Sequence, residues 1–379
     1  MAVRYQDRNN LKKGIIRNAL AGHQSYIKES SDMKPSTTNA FCCAAAILFA
    51  ASSAVFAQAT TATTDPVGFI TLNVAGATGG TPALSFKGLS LTRAVEYQGS
   101  AETAAGTSIT DNEATWTDNQ FNGANGAYYV EIAGGPGAGT TYDITATAAA
   151  TKTITLAQGL ANGVVAPVSF KIRKHWTIGS VFGANNEAGL GGGDSATADQ
   201  ILISNGTGYD IYYYQTAGAG GTGWRKSPDT ATDASGSVIY PEDGVVIKRI
   251  QASAVNVVLM GAVKTGQSSI PIQAGNNITG NVFAAPMTLQ SSGIYTGNAA
   301  TGLAAGGPST ADLVLIWDGT NYAAYYYQSG GTGGTGWRSV TDASTDAGGT
   351  PIPVGGSVVI RRNGATGFDW KAPQHPASL

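Results

Sequence analysis

The chain has 379 residues, only 12% of them charged, and a formal charge of −2 at pH 7. Residues 1–57 hold seven of the 22 Lys and Arg residues and three of the 24 Asp and Glu residues, so the remainder carries a formal charge of −6. This acidic balance argues against partners held by a basic patch, which excludes nucleic acid and anionic membrane surfaces. The many Gly, Ala and Thr residues favour short strands joined by glycine-rich turns.

Residues 33–57 have the pattern of a secretory signal peptide. A short polar start at Met33 precedes the uncharged apolar run 40–56, and Val55-Phe56-Ala57 fits a small-x-small cleavage site. The apolar run is too short to predict a membrane span. We therefore expect a secreted protein, outside the cell or on its surface, with no membrane contact after signal removal. Residues 1–32 are interpreted as an upstream start-codon artefact, with a genuine extension as the alternative.

Cysteine and histidine are scarce beyond the signal peptide. Cys42 and Cys43 lie inside it, so the exported chain has no disulfide and no thiolate metal site. His175 and His375 are isolated and show neither zinc-ligand nor catalytic-triad spacing. The sequence therefore predicts no catalytic residue, no cofactor and no metal site.

Two groups of carboxylates were weighed as sites. Glu242 and Asp243 are adjacent, and in an extended chain adjacent side chains point apart, so a solvated turn is expected. The oxygen-rich stretch 111–119 would suit calcium, but its spacing fits no known calcium loop, and binding there stays open.

In chain order, the first predicted strand is Val67–Val74, in which apolar positions alternate. Residues 128–132, 140–145, 151–156 and 168–173 follow as further predicted strands. Asn205-Gly206 and Asp318-Gly319 each lie between two apolar runs, which predicts two-residue hairpin turns with positive φ at both residues. The flanking strands are Gln200–Ser204 with Tyr209–Gln215, and Leu313–Trp317 with Tyr322–Gln328, and each copy has one later strand, at 244–250 and at 356–362.

An internal repeat organises these strands. Residues 209–225 (YDIYYYQTAGAGGTGWR) recur as 322–338 (YAAYYYQSGGTGGTGWR), and the same offset of 113 residues relates Asp199 to Asp312. A constant offset over about fifty residues predicts two copies of one structural unit.

The repeat predicts the domain organisation. We expect an all-β fold with two tandem related β-sandwich or barrel domains. The first covers 65–93 and 173–263, and the second covers 264–379. Residues 94–172 form a small β module inserted in a loop of the first domain, where an insertion costs little. Residues 58–64 form a linker.

The tyrosine triplets and the Trp-Arg pairs are the candidate site. Successive strand residues point to opposite faces, so one face of each tyrosine strand is expected in the core and the other exposed. Three interpretations stay open: aromatic packing inside a sheet, an assembly interface, and a glycan platform. Each Arg is expected to stack on an aromatic ring or to pair with Asp199 or Asp312. The candidate interface or ligand face consists of Tyr212, Tyr214, Trp224, Arg225, Tyr325, Tyr327, Trp337 and Arg338.

Short motifs occur in a fixed order along the chain. They are Asp65-Pro66-Val67-Gly68, Thr92-Arg93, His175-Trp176-Thr177-Ile178, Ala198-Asp199, Tyr209, Tyr212-Tyr213-Tyr214, Gly223-Trp224-Arg225 and the strand at 246–249. This order resembles a family of functionally uncharacterised, paralogous exported proteins of verrucomicrobial bacteria. The resemblance covers nearly the whole chain after residue 57 and implies export and a β-rich structure, but no activity. The insert is similar to β modules of phage tail and fibre proteins.

These observations predict a non-enzymatic structural protein that assembles with copies of itself into an extracellular filament, sheath or surface layer. Residues 61–74 are the candidate for a strand lent to a neighbouring copy. The alternative is a secreted adhesin or glycan-binding module whose exposed Tyr and Trp faces bind glycans or other surface proteins. An enzyme such as a glycoside hydrolase would need two carboxylates facing each other across a cleft.

Overall fold

The computed structural model describes residues 65–161 and 163–374. The predicted signal peptide and linker, and His375, lie outside these residues. The described residues form the predicted all-β fold of several antiparallel sheets. None of these sheets closes on itself, so the architecture of this part of the chain is sandwich-like, and the barrel alternative is wrong.

Three sets of strands follow one another along the chain. The first repeat opens with β1 (Val67–Val74) and β2 (Ala83–Gly88). The insert contains β3 (Val95–Ala101), β4 (Thr103–Ala105), β5 (Ser108–Thr110), β6 (Tyr128–Ile132), β7 (Thr141–Ala148), β8 (Thr153–Leu156) and β9 (Val168–Lys174). The first repeat resumes with β10 (Trp176–Thr177), β11 (Gln200–Ser204), β12 (Tyr209–Gln215), β13 (Gly223–Lys226), β14 (Val238–Ile239), β15 (Gly244–Arg249) and β16 (Val255–Ala262). The second repeat contains β17 (Ser268–Ile272), β18 (Gly275–Gly280), β19 (Met287–Thr288), β20 (Leu313–Trp317), β21 (Tyr322–Gln328), β22 (Gly336–Ser339), β23 (Pro351–Ile352), β24 (Ser357–Arg362) and β25 (Phe368–Ala372).

Helical structure in the described residues is limited to the short helix α1 (Ile178–Phe182) and the single 3-10 turn Gly123–Asn125. Thr177 caps α1, because its hydroxyl accepts a hydrogen bond from the backbone N–H of Ser180 at 3.2 Å. No helix in this part of the chain is long and apolar enough to cross a membrane.

The two repeats have the same strand pairing. Each has a five-stranded sheet, in the order β13-β12-β11-β15-β2 in the first repeat and β22-β21-β20-β24-β18 in the second. Each also has a two-stranded ribbon made by its first and last strands, β1 with β16 and β17 with β25. The short pairs β10–β14 and β19–β23 complete the match. The offset in sequence therefore corresponds to a repeated topology.

The hairpins within the repeats differ from the predicted turns. Four residues, not two, separate the strands, and only the glycine of each Asn-Gly or Asp-Gly pair has a positive φ. The Asn205 side chain accepts hydrogen bonds from the N–H groups of Thr207 and Gly208, at 3.2 and 2.8 Å. Asp318 does the same for the second hairpin. The Asn and Asp side chains thus close these loops by side-chain capping, which removes the need for two positive φ values.

The insert forms one seven-stranded sheet, in the order β3-β9-β6-β7-β8-β5-β4. It has its own hydrophobic core, which includes Trp116, Phe121, Val130 and Phe170. The chain enters it after β2 and leaves it before β10, at the point where the second repeat passes from β18 to β19. All the described residues fall within one compact unit, so the limits expected for separate domains stay predictions.

The repeats meet at a seam where two glycines touch. A Cβ atom added to Gly88 would lie 2.7 Å from Cα of Gly280, and the reverse distance is also 2.7 Å. Gly88 N donates to the carbonyl of Gly355 (3.1 Å), and Gly280 N donates to the carbonyl of Glu242 (3.0 Å). Glu242 and Gly355 are 113 residues apart, so these contacts are reciprocal, as an approximate two-fold axis between the repeats requires.

Aromatic side chains cross the same seam. Phe86 of β2 contacts Trp317 and Tyr322 of the second repeat, with ring centroids 5.6 and 5.4 Å apart. The Trp317 indole N–H donates to the carbonyl of Leu84 at 3.1 Å. Side-chain packing and backbone hydrogen bonds therefore both depend on the approach of the two glycines.

Gly88→Ala is expected to lower the free energy of unfolding by about 1–3 kcal/mol, because the added methyl group must push the two repeats apart. The matched control is Gly236→Ala, an exposed glycine whose added methyl meets nothing within 4 Å. Urea unfolding of both variants measures the difference. Equal midpoints for the two variants would contradict the close packing at the seam.

Candidate functional site

Five of the eight predicted site residues are buried and three are partly buried. Tyr212, Trp224, Arg225, Trp337 and Arg338 are buried. The other three tyrosines are partly buried and pack against the cores of their repeats: Tyr214, Tyr325 and Tyr327.

On the opposite face, Tyr213 and Tyr326 are both fully buried, whereas Tyr209 and Tyr322 at the start of the strands are exposed. The expectation that one face of the tyrosine triplets would be exposed is therefore wrong. Packing, the first of the three interpretations, accounts for the contacts of all eight residues. A role for them as an interface or ligand face stays a prediction.

Arg225 holds the glycine-rich loop of the first repeat. Its guanidinium donates to the carbonyls of Trp224 (2.7 Å), Thr230 (3.1 Å) and Gly221 (3.1 Å). Gln215 donates to the carbonyls of the same Gly221 and Thr230, at 2.9 and 3.0 Å. Two buried side chains thus satisfy carbonyl groups that a loop without a sheet partner would leave unpaired.

Arg338 has the same role in the second repeat, where it donates to the carbonyls of Trp337 (2.7 Å) and Gly334 (3.3 Å). Gln328 donates to Gly334 at 2.9 Å. Neither arginine pairs with the aspartate expected from the sequence. The Trp-Arg motif therefore fixes a loop in both copies.

Asp199 and Asp312 have other arginine partners. Asp199 forms a buried ion pair with Arg249 and accepts the backbone N–H of Ile250 at 2.7 Å. Asp312 pairs in the same way with Arg362, at 2.5 Å. Each pair ties the start of one strand to the end of another, since β11 follows Asp199 and β15 ends at Arg249.

A polar cluster that the sequence analysis missed lies where the insert meets the first repeat. His175 Nε2 is 2.9 Å from one carboxylate oxygen of Asp143, and the Tyr240 hydroxyl donates to the other at 3.0 Å. The His175 ring packs between Tyr129 and Tyr240, with centroids 4.7 and 5.1 Å away. His175 is buried and its Nδ1 has no hydrogen-bond partner in the described residues. The cluster anchors the two parts of the protein to each other.

A buried ion network continues this junction. Glu131 pairs with Lys264 and Arg173, and Arg173 also pairs with Asp65, which Lys171 contacts at 2.7 Å. Burial opposes ionisation of Glu131, but the two neighbouring cations outweigh it and lower its pKa. The network links the insert to the start of the first repeat and to the segment between the repeats.

The oxygen-rich stretch of the insert is engaged in local contacts. Asp111 is buried, accepts the Tyr97 hydroxyl at 2.7 Å and accepts the Glu113 backbone N–H at 3.0 Å. Asp118 accepts the backbone N–H of Ala149 at 2.7 Å. Among the described residues, no group of three or more His, Cys, Asp or Glu side chains is placed to hold a metal ion.

One exposed apolar surface stands out, on the ribbon of the first repeat. Val67, Phe69, Val258 and Met260 are 60–71% exposed, although all four are large and apolar. Phe69 pairs directly with Met260 in the antiparallel register. We call the outward side of this ribbon the ribbon face, and its side chains are Val67, Phe69, Thr71, Asn73, Asn256, Val258 and Met260.

The expected strand exchange is not seen for β1. All eight of its residues pair with β16 of the same chain, and Leu72 and Val74 point into the core. The prediction that this strand is lent to a neighbour is therefore corrected for 67–74, and residues 61–64 lie outside the described part. The part of β1 that another molecule can contact is its outward side, which belongs to the ribbon face.

A comparison with protein-family models, with curated proteins and with solved structures found no match to this chain.

The pH dependence of stability offers a test of the surroundings of Glu242, whose carbonyl accepts the Gly280 N–H at the seam. Burial, and then the neighbouring Asp243, raise the pKa of Glu242 to about 8, from an ordinary value of 4.5. The folded protein therefore retains a proton that the unfolded chain loses, and stability falls as pH rises from 4.5 to about 8. Glu242→Gln is expected to remove this fall and to be more stable than the wild type at pH 9 by about 1–3 kcal/mol, with no gain at pH 4.

Urea unfolding across this pH range measures the effect. Glu96→Gln is the control, because it removes an exposed carboxylate of the insert. Parallel pH profiles for the wild type and Glu242→Gln would show that Glu242 is not held in a proton-retaining environment.

Proposed function

We propose that the protein is an exported, non-enzymatic structural subunit that assembles with copies of itself outside the cell. The observation that carries this proposal is the ribbon face, on which four large apolar side chains are exposed. Exposed apolar patches on soluble proteins mark sites of interaction, because leaving such surface in water is unfavourable. The expected signal peptide supports export.

The interior of the protein supports a structural role. The most distinctive residues of the repeat, two tryptophans and two arginines, are buried and hold loops in place. Buried ion pairs tie the strands of each repeat, and an ion network ties the insert to the start of the first repeat and to the segment between the repeats. Such a unit presents a fixed surface to its neighbours, and a preorganised surface lowers the cost of association.

Sedimentation velocity of the purified protein at increasing concentrations tests self-assembly. We expect a mass above that of one chain, and this mass should increase with protein concentration. Electron microscopy of the same samples shows whether the larger species are filaments or layers. A mass of one chain at every concentration would contradict the proposal.

A second candidate is glycan binding, and it rests on a different surface from the one first predicted. Tyr209 and Tyr322 are 48% and 42% exposed and lie at equivalent positions of the two repeats. Burial, and then the neighbouring Tyr209, raise the pKa of Tyr322 to about 12. Trp317 packs edge-on against Tyr322 at 5.0 Å. Exposed rings of this kind combine an apolar face with a polar hydroxyl, as a sugar ring requires.

A glycan array followed by calorimetry tests this candidate. If sugars bind at the seam, Tyr209→Ser combined with Tyr322→Ser is expected to weaken binding by roughly tenfold or more, because both stacking rings are lost. Val165→Ser, which removes an exposed apolar side chain of the insert, is the control. Binding that survives the double substitution, or no binding at all, would reject the candidate.

A further inference from the structure

The ribbon of the first repeat carries large apolar side chains on both of its faces. Leu72, Val74, Val257 and Leu259 point inward and are buried in the core. The residues between them point outward, and the largest of these are also apolar. A strand pair with one face in solvent normally alternates between apolar and polar residues, whereas this composition is typical of strands covered on both sides.

The second repeat supplies an internal comparison. The last strands of the two repeats, β16 and β25, begin at Val255 and Phe368, which are 113 residues apart. The outward pair Thr71–Val258 therefore corresponds to Ser269–Lys371, and the pair Asn73–Asn256 corresponds to Pro271–Asp369. Asp369 and Lys371 are exposed. The shared fold therefore tolerates a charged residue where the first ribbon has Val258, so the exposed apolar residues of the first ribbon have another cause.

We infer that the ribbon face is covered by the ribbon face of a second copy of this chain, packed face to face about a two-fold axis. This inference rests on the proposed function and names the surface and the partner. In such a pair each residue of the face meets the same surface of the other copy.

Charge favours a second copy as the occupant. No side chain of the ribbon face is charged, although the chain beyond residue 57 has a formal charge of −6. Two copies can therefore bring these faces together without opposing like charges. A charged ligand would find no ionic partner there.

The size of the ribbon face is also sufficient for a small protein–protein interface. Eight residues of extended strand span about 27 Å, and two such ribbons packed face to face bury on the order of 1,000 Å² in total. This area is at the lower limit for a specific interface, so the pair should be of moderate affinity and should dissociate on dilution.

The distribution of residues within the face matches that of an interface. Phe69 and Met260 lie opposite each other near one end, with Val67 and Val258 beside them. Asn73 and Asn256 form the pair at the other end. An axis near Phe69 and Met260 places the apolar side chains at the centre and the asparagines at the rim, where interfaces are polar. Phe69 of one copy can then contact the Met260 sulfur of the other, a favourable contact of sulfur with a ring edge.

A two-fold contact of this kind closes after two copies. The ribbon face therefore predicts a dimer as the building unit, and growth into a filament or layer would need a second, different surface. The dimer is the specific expectation of the inference.

The test places polar residues at the apolar centre of the ribbon face. Phe69→Ser combined with Met260→Lys is expected to weaken dimerisation by roughly tenfold or more, because the centre of the face is lost. Val165→Ser removes an exposed apolar residue elsewhere and should leave the dimer unchanged. Sedimentation equilibrium of the three proteins, prepared identically, gives the dissociation constants, and near-UV circular dichroism confirms that each is folded. If the double variant does not fold, Val258→Asp tests the same face.

The outcomes separate this inference from the proposed function. A wild-type dimer that is lost in the double variant supports both. Association that is equally strong in the double variant overturns the ribbon inference and leaves self-assembly standing through another surface. A wild-type protein that stays monomeric at every concentration overturns both.

Discussion

The contact of Gly88 with Gly280 is the constraint on which the arrangement of the two repeats depends. Because glycine has no Cβ atom, β2 and β18 can come close enough at these two positions for reciprocal backbone hydrogen bonds across the seam. Gly355, which accepts one of these bonds, also packs against Leu72 of β1: a Cβ on Gly355 would lie 2.7 Å from its side chain. The seam therefore supports the inner side of the ribbon and leaves the ribbon face to solvent.

The two repeats agree in their interior and differ on their surface. Each buries a Trp-Arg pair that closes a glycine-rich loop, and each buries an Asp–Arg ion pair between strands. Removing one member of such a pair leaves an uncompensated charge, which explains why a common fold keeps both members. The outer sides of the two ribbons have no such constraint, and there Thr71 and Val258 of the first ribbon correspond to Ser269 and Lys371 of the second. Function is best sought at this difference, because the fold does not require it.

Much of the fold could be predicted from local patterns. Alternating apolar residues indicated β1, β12 and β21 at their observed limits, and the repeat indicated a shared topology. Alternation shows which side chains share a face, but not whether a second layer covers it, so the burial of both sides of the tyrosine strands was missed. The contacts of Asp143 with His175 and Tyr240 span 32 and 97 residues, beyond any local rule. The ribbon face had a readable signal, since Val67 and Phe69 are apolar at positions that alternation places on the outer side of β1.

The central claim is that the ribbon face is covered by a second copy, and the methionine methyl groups test it most directly. Met260 lies on the ribbon face, whereas Met287, the other methionine of the described residues, is buried in the second repeat. In NMR spectra of isotope-labelled methionine methyl groups, the account predicts that the Met260 signal shifts as protein concentration rises, while the Met287 signal stays in place. A Met260 signal that does not move while the mass of the protein increases would contradict it.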